Sequence, residues 1–277
     1  MSLTCPRPFY GWIIVGALSV AGGFTMSMGI GNFGVFVEPM SKDLGTGQAP
    51  FGWALTARLA GFAASGPIIG RLVDRYGVRS PLSIAIIFFS ISVAALSSVE
   101  ASWQLVGLLL LSGLLGFWGS NTLYFTTLAA QWFIRRRGVA MSVMFVGFPL
   151  GIAISVPITQ ILVDVFGWRT AWVILSVTGG GTVLLIARFL IYNRPEDLGL
   201  QPDGSSSSHP EDLLSHDHSW TLQDAIRTGT FWRLAVAFGT VMLGMSAIGL
   251  FWIPYFIREG FEASLAAWAL STYALSQ

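Results

Sequence analysis

The sequence predicts an all-α protein that is embedded in a membrane. Hydrophobic residues make up 53% of its 277 residues, charged residues only 10%, and the mean hydropathy is +0.68. A soluble domain carries about 25% charged residues. Long apolar runs alternate with short polar segments that contain arginines. Because backbone polar groups need partners within the segment in lipid, these runs are expected to be helices, with the lipid bilayer as a partner.

Seven of the runs are long enough to cross a hydrocarbon core of about 30 Å. In chain order they are Trp12–Val37, Pro50–Val73, Pro81–Val99, Trp103–Phe133, Val139–Val163, Trp168–Tyr192 and Phe231–Phe256. An eighth run, Ser264–Gln277, is shorter than the roughly 20 residues that a span needs. The sequence therefore predicts seven spans and an incomplete eighth.

Arginine placement predicts the orientation of the spans. With the N-terminus inside, only three basic residues lie on the outer side, namely Lys42, Arg169 and Arg258. Arg58 lies within a span, and the other basic residues lie on the inner side. Positive residues accumulate on the cytoplasmic side, so we expect an integral protein of the plasma (inner) membrane with a cytoplasmic N-terminus. The net charge of +1 gives no indication of a nucleic-acid partner.

A charged turn separates the second and third runs. It carries five residues in the pattern G-x-x-x-D-R-x-G-x-R, namely Gly70, Asp74, Arg75, Gly77 and Arg79. Charged side chains are costly in hydrocarbon, so the turn is expected at the membrane surface. Gly70 would let another helix approach, and Gly77 would permit a turn that a side chain forbids. An ordinary positive turn would explain the arginines, but not Asp74 or the glycine spacing.

This motif closely resembles the loop between helices 2 and 3 of the major facilitator superfamily of secondary transporters. The resemblance implies the major facilitator fold, which has two six-helix halves, and a role for the loop in conformational switching. It predicts a complete N-terminal six-helix transmembrane half at residues 1–192, a cytoplasmic linker at 193–230, and the start of a C-terminal half at 231–277.

Two internal echoes support the prediction of similar halves. Trp53–Thr56 in the second run is echoed by Trp268–Ser271, and Phe9 before the first run is echoed by Phe231 before the seventh. Internal repeats of this kind are typical of secondary transporters. In this register the counterpart of Gly70 would lie beyond Gln277, so we expect the chain to stop inside its eighth span.

The linker holds all three histidines of the chain. His209, His216 and His218 would suggest a metal site, but a flexible linker with incidental histidines is favoured because no scaffold orients them. The end of the linker, Ser219–Arg227, is predicted to form a short amphipathic helix on the membrane surface.

Three further stretches resemble one branch of the superfamily. They are Phe9–Trp12, Trp132–Met141 with its three arginines, and Arg194–Gly204, which reads RPEDLGLQPDG. Together they are similar to the monocarboxylate transporters and oxalate/formate antiporters. This resemblance implies a small organic anion (a monocarboxylate or dicarboxylate) as substrate, moved by alternating access with a proton or in exchange for a counter-anion. The alternatives are an exporter of drugs or other neutral or amphipathic solutes, and a transporter-like sensor without flux.

Arg58 is the only charged residue deep in a predicted span. At 1.5 Å per residue it lies roughly 15 Å from one face and 20 Å from the other. Leaving it unpaired would cost at least about 2.5 kcal/mol. It is therefore either an anchor for a substrate carboxylate or a structural arginine bonded to a neighbouring helix. The second interpretation is slightly favoured, because helix 2 flanks the cavity of the resembled fold.

Polar faces on the first and fourth spans supply the other candidate binding residues. The resembled fold lines its cavity with these two helices. The candidates are Thr25 and Asn32 on the first span, and Ser120, Asn121 and Tyr124 on the fourth. Such stripes either line a wet cavity or bond to a neighbouring helix. Gly147, Gly151 and Pro157 in the fifth span indicate close packing and a bend.

The sequence contains no constellation typical of an enzyme. It has no HExxH motif and no phosphate-binding Walker loop, and its histidines all lie in the linker. We therefore predict a transporter without a catalytic site, a metal or a cofactor.

Overall fold

The computed structural model describes residues 9–117, 123–201 and 222–275. Throughout these ranges the regular structure is helical, as the composition predicts. The α-helices are α1 (Tyr10–Met28), α2 (Ile30–Asp43), α3 (Ala49–Tyr76), α4 (Arg79–Ala95), α5 (Ser102–Leu114), α6 (Leu123–Trp132), α7 (Arg137–Phe189), α8 (Leu222–Arg227), α9 (Gly229–Arg258) and α10 (Ala263–Leu275). Short 3-10 helices lie after α4, at Leu96–Ser98, and after α7, at Pro195–Leu198.

The first predicted span lies within one apolar segment, Tyr10–Asp43, but its helix is interrupted at Gly29. Gly29 has φ −110° and ψ −131°, and its amide donates to the carbonyl of Met26 at 3.1 Å. Glycine is the weakest helix former after proline, so a run rich in glycine is easily interrupted. Beyond the break α2 continues to Asp43, six residues past the predicted end at Val37.

The fourth predicted span, Trp103–Phe133, is wrong as one helix. Helix α5 ends at Leu114, and Gly116 follows with φ +83°. A positive φ is open to glycine but strained for other residues, so the helix cannot continue through this position unchanged. Helix α6 resumes at Leu123, after five residues that lie outside the described ranges.

Helix α7 contains the fifth and sixth predicted spans. Its 53 residues would reach about 80 Å if straight, far beyond a hydrocarbon core of about 30 Å. Gly167 is non-helical, with φ 77° and ψ 160°, and divides α7 into a first and a second arm. The predicted boundary between the two spans, at residues 164–167, is therefore confirmed.

Glycines hold α1 against the first arm of α7. A Cβ atom on Gly147 would overlap the carbonyl oxygen of Ser19, and one on Gly151 would overlap Gly23. Two helix backbones approach this closely only where side chains are absent. The close packing predicted for Gly147 and Gly151 is confirmed.

The described residues contain three helical segments that are long and apolar enough to cross a membrane. They are Tyr10–Asp43, Arg79–Ser98 and Arg137–Phe189. These segments correspond to the first, third, fifth and sixth of the seven predicted spans. Helix α3, in the second predicted span, is 28 residues long, but Arg58 and the small residues of this helix lower its mean hydropathy. In the fourth, the interruption after Leu114 leaves α5 with only 13 residues.

The last two described helices pack on helices that precede them in the chain. Helix α9 contacts α2, and α10 contacts α7. Ile253, Ala267 and Leu270 are buried. Helix α8 lies within the predicted amphipathic segment, but Ser219–Thr221 and the three histidines of the linker lie outside the described residues.

Candidate substrate-binding site

Arg58 lies in the middle of α3 and is almost completely buried, with 2% of its surface exposed. Its Nε and Nη2 atoms both donate to the carbonyl oxygen of Phe117, at 3.2 Å and 2.9 Å. Its guanidinium carbon lies 5.7 Å from the centre of the Phe89 ring. A main-chain carbonyl and an aromatic face therefore offset part of the cost of burying this charge.

The guanidinium lies between the two helix interruptions. A Cβ atom on Gly29 would lie 2.9 Å from Nη2 of Arg58, so the group packs directly against the break between α1 and α2. Phe117, its acceptor, follows the end of α5. Interrupted helices leave carbonyl groups without their usual intrahelical donors, and these carbonyls supply acceptors for a buried cation.

Tyr124 reaches the same junction from α6. Its hydroxyl donates a long hydrogen bond of 3.5 Å to the carbonyl of Leu115, and its ring centre lies 5.9 Å from that of Phe117. Tyr124 is buried. The structure thus brings two sequence-predicted residues, Arg58 and Tyr124, to the segment that joins α5 to α6.

Two of the other candidates lie in that joining segment, and one lies on α1. Ser120 and Asn121 are outside the described residues. Thr25 is buried, and its hydroxyl donates to the carbonyl of Gly22 in its own helix at 2.9 Å.

Asn32 faces α7. Its Nδ2 atom donates to the hydroxyl of Thr159 at 2.8 Å, and its Oδ1 atom accepts from the hydroxyl of Ser155 at 3.0 Å. Both Asn32 and Thr159 are fully buried. The sequence interpretation missed Ser155 and Thr159, although two hydroxyl residues four apart in an apolar run are a signal for a partner on a neighbouring helix.

The loop motif between α3 and α4 divides into an engaged part and an exposed part. Gly77 has φ 73° and ψ 179°, which confirms the predicted turn that a side chain would forbid. Asp74 and Arg75 are exposed, and Arg75 lies 5.3 Å from the Tyr76 ring centre. No atom of the described chain lies within 4 Å of a Cβ built on Gly70, so the close helix approach expected there is absent from this part of the chain.

Arg79 ties the loop to the end of α7. Its backbone N–H donates to Oδ1 of Asn193 at 2.9 Å, and its guanidinium donates to the carbonyl of Arg188. The same guanidinium lies 5.7 Å from the ring centre of Tyr192. These contacts, which the sequence did not reveal, join the motif to the exit of the sixth predicted span.

A family comparison decides the class of this fold. Residues 19–277 match the model of the Major Facilitator Superfamily. The chain belongs to the major facilitator superfamily. The predicted family and the all-helical fold class are therefore confirmed.

Relatives in this superfamily include transporters of organic anions by name. The chain is 27% identical to Monocarboxylate transporter 2 of Homo sapiens over 286 residues, which covers 97% of this chain and 58% of the relative. It is 32% identical to the 4-hydroxybenzoate transporter PcaK of Pseudomonas aeruginosa over 165 residues, or 58% of this chain and 35% of the relative. These relatives are transporters rather than enzymes.

A solved structure of the superfamily shares the fold. It is a bacterial homologue of the human lysosomal transporter Spinster in an inward-facing and occupied conformation, with a TM-score of 0.69 and 17% identity. The match covers 97% of this chain and 59% of that one. This chain thus spans little more than half the length of such superfamily members.

Proposed function

We propose that this protein takes part in secondary active transport of a small organic anion by alternating access. The observation that carries the proposal is Arg58, a cation buried in the middle of α3 and beside two helix interruptions. An anionic substrate is the ligand that best compensates such a charge. The names of the relatives, which include monocarboxylate and 4-hydroxybenzoate transporters, support an organic carboxylate.

The proposed site centres on Arg58 and Tyr124. The Nε and Nη2 atoms of Arg58 both donate to the carbonyl of Phe117, which is a neutral acceptor. A carboxylate offers two charged oxygens in a geometry that matches the guanidinium fork, so it would displace this carbonyl with a gain in hydrogen-bond strength. Ser120 and Asn121, which follow Phe117 in the chain, complete the site in this proposal.

The two candidates on the first predicted span support the site from α1 and α2. Thr25 bonds within its own helix, and Asn32 ties α2 to α7. We assign them to the site through the position of Gly29, which lies between them in the chain and packs against Arg58. In this role they fix the helix break at the guanidinium.

The transport cycle in this proposal uses the loop motif as its switch. Asp74 and Arg75 are exposed and available to a second half of the transporter, while Gly77 and Arg79 hold the loop in place. Residues 1–192 form the first half, 193–230 the cytoplasmic linker and 231–277 the start of the second half. The driving ion is a proton or a counter-anion.

A matched pair of ligands tests the substrate class. Benzoate and benzamide have nearly the same shape, but only benzoate carries a charge. Purified chain in neutral detergent should be stabilised against heat by benzoate and not by benzamide, and the same preference should appear in uptake by proteoliposomes. Equal responses to both ligands would favour a transporter of neutral or amphipathic solutes, and selective benzoate binding without uptake by a protein that also has a complete second half would favour a sensor.

Single cysteines test the orientation. In a Cys5→Ser background, cysteines placed at Gly45 and at Ser206 should react with an impermeant thiol reagent from opposite sides of the membrane. Gly45 should label in intact cells, whereas Ser206 should label only after permeabilisation. Labelling of both positions in intact cells would contradict a cytoplasmic linker.

A further inference from the structure

A row of arginines lies between α6 and α7, away from the contacts of Arg58. Arg135, Arg136 and Arg137 are consecutive, and all three are exposed. They follow Trp132 and Phe133 in the chain, and both of these side chains are fully buried. This buried pair anchors the start of the row to the helical bundle. Nη2 of Arg137 donates to the carbonyl of Ala130 at 3.1 Å, which orients the side chain at the end of the row.

An exposed apolar stripe begins directly beside the arginines. Ile134 and Val139, on either side of the row, are each 56% exposed. The stripe then follows the first arm of α7 at intervals of three or four residues, through Val143, Val146, Leu150 and Ile154, all of them exposed. Residues at this spacing share one face of a helix, so the stripe is continuous for about 20 Å.

We propose that this surface binds one anionic phospholipid, with its phosphate at Arg135–Arg137 and an acyl chain along the stripe. Guanidinium groups bind phosphate oxygens through paired hydrogen bonds. Basic clusters at the ends of membrane helices attract anionic headgroups. The stripe needs hydrocarbon in place of water, and a phospholipid supplies hydrocarbon and negative charge in one molecule.

The bias of positive residues toward the inner side does not account for this arrangement by itself. That bias is satisfied by arginines at any inner helix end, such as Arg71 and Arg75 of α3. In the row beside α7 three consecutive exposed arginines precede an exposed apolar stripe. The combination makes the surface specific for a lipid rather than for a free anion.

Lipid titration of the purified chain tests the site. The chain in neutral detergent is titrated with dioleoyl phosphatidylglycerol or dioleoyl phosphatidylcholine, and bound lipid is counted by native mass spectrometry. Phosphatidylglycerol, which is anionic, should bind more tightly than phosphatidylcholine. The triple variant Arg135→Gln, Arg136→Gln, Arg137→Gln should weaken it by roughly a hundredfold, since each basic residue contributes about fivefold near an anionic surface.

Two matched variants separate charge from position. A triple lysine variant at the same three positions keeps the charge and should retain most of the affinity, which also shows that the loop tolerates substitution. The variant Arg71→Gln, Arg188→Gln, Arg227→Gln removes the same charge from other exposed positions and should leave binding unchanged. An equal loss in this control, or normal binding in the first glutamine variant after size-exclusion chromatography, would overturn the proposal.

Inorganic phosphate distinguishes a lipid site from an anion site. Millimolar phosphate should leave bound phosphatidylglycerol in place, because it lacks the acyl chain. The double variant Val146→Asn, Leu150→Asn should weaken lipid binding, since it places polar groups on the stripe. Displacement of the lipid by phosphate, or full affinity in this double variant, would show that the arginines bind a free anion and that the stripe takes no part.

Discussion

Two helix crossings in this protein are built from glycine, yet they differ in what they contain. Where α1 meets the first arm of α7, side chains are absent at Gly23, Gly147 and Gly151. Where α3 meets α5, a Cβ atom on Gly113 would overlap the carbonyl oxygen of Arg58, and one on Gly61 would lie 2.5 Å from that of Leu110. Both are contacts of backbone against backbone, but only the second carries a charge.

The difference lies in how the neighbouring polar groups are satisfied. Next to the first crossing, Asn32 has one acceptor and one donor on α7, and its amide is matched by neutral hydroxyl groups. At the second, the guanidinium of Arg58 is directed at a neutral carbonyl. The first arrangement is a joint between helices, whereas the second places a charge against a main-chain carbonyl, and in our proposal a carboxylate replaces that carbonyl.

The largest expected effect is on Arg58. Arg58→Gln should weaken the binding of benzoate by roughly ten- to a hundredfold, since a hydrogen bond to a charged group contributes about 1.5–3 kcal/mol. Arg58→Lys should retain weak binding, because it keeps the charge and loses the planar fork. Affinity is measured on folded protein selected by size-exclusion chromatography. Unchanged affinity in Arg58→Gln, with a lower melting temperature in both variants, would make Arg58 structural.

The next effect concerns the packing at the charged crossing. Gly113→Ala should lower the free energy of unfolding by about 1–3 kcal/mol, because its Cβ meets the backbone of α3 and no side chain can move aside. Gly107→Ala in the same helix meets nothing within 4 Å and should be neutral or slightly stabilising. Thermal unfolding in detergent compares the two. Equal melting temperatures would show that the α3–α5 contact is looser than described.

A smaller effect on stability is expected for the hydrogen bonds of Asn32 that join α2 to α7. Asn32→Ala removes two interhelical hydrogen bonds, each worth about 0.6 kcal/mol on average in membrane proteins, so unfolding should become easier by about 1 kcal/mol. Thr25→Val keeps the shape of a residue that bonds only within its own helix, and it should change stability less. If Asn32→Ala instead abolishes benzoate binding without a change in stability, Asn32 contacts the substrate directly.

The smallest effect is expected for Asp74. This residue is exposed and makes no ion pair within the described ranges, so Asp74→Asn should change the stability of this chain by less than about 0.5 kcal/mol. In a transporter with a second half, the same substitution should impair transport, because the loop motif would lose its charged contact there. A large loss of stability in this chain would reveal a partner for Asp74 within residues 1–277.

Hydropathy predicted which segments are helical but not where they break. The apolar run from Trp12 to Val37 passes through Gly29 without a charged residue that would mark an interruption. Apolar character is insensitive to backbone dihedral angles, and a single glycine in a helix is a weak signal. The reversal at Gly167 was predictable, because Asp164 and Arg169 on either side are polar and mark a membrane surface.

The residue types identified Arg58 as a candidate binding residue, but they did not predict which groups surround its guanidinium. A charged side chain in an apolar run is conspicuous in any sequence. Its acceptor is a main-chain carbonyl, a group that every residue has, so the sequence cannot single out Phe117. Asn32 was predicted as a candidate binding residue on a polar face, while its partners on α7 depend on which helices cross and at what height.

The hydrogen bonds of Arg79 have a mechanical consequence. The guanidinium of Arg79 donates to the carbonyl of Arg188 in the last turn of α7, and the backbone N–H of Arg79 donates to Oδ1 of Asn193. These contacts join the start of α4 to the end of α7, so we expect a tilt of one helix to move the other. We then expect bending to concentrate at the helix interruptions, where Gly29, Gly116 and Gly167 depart from helical geometry.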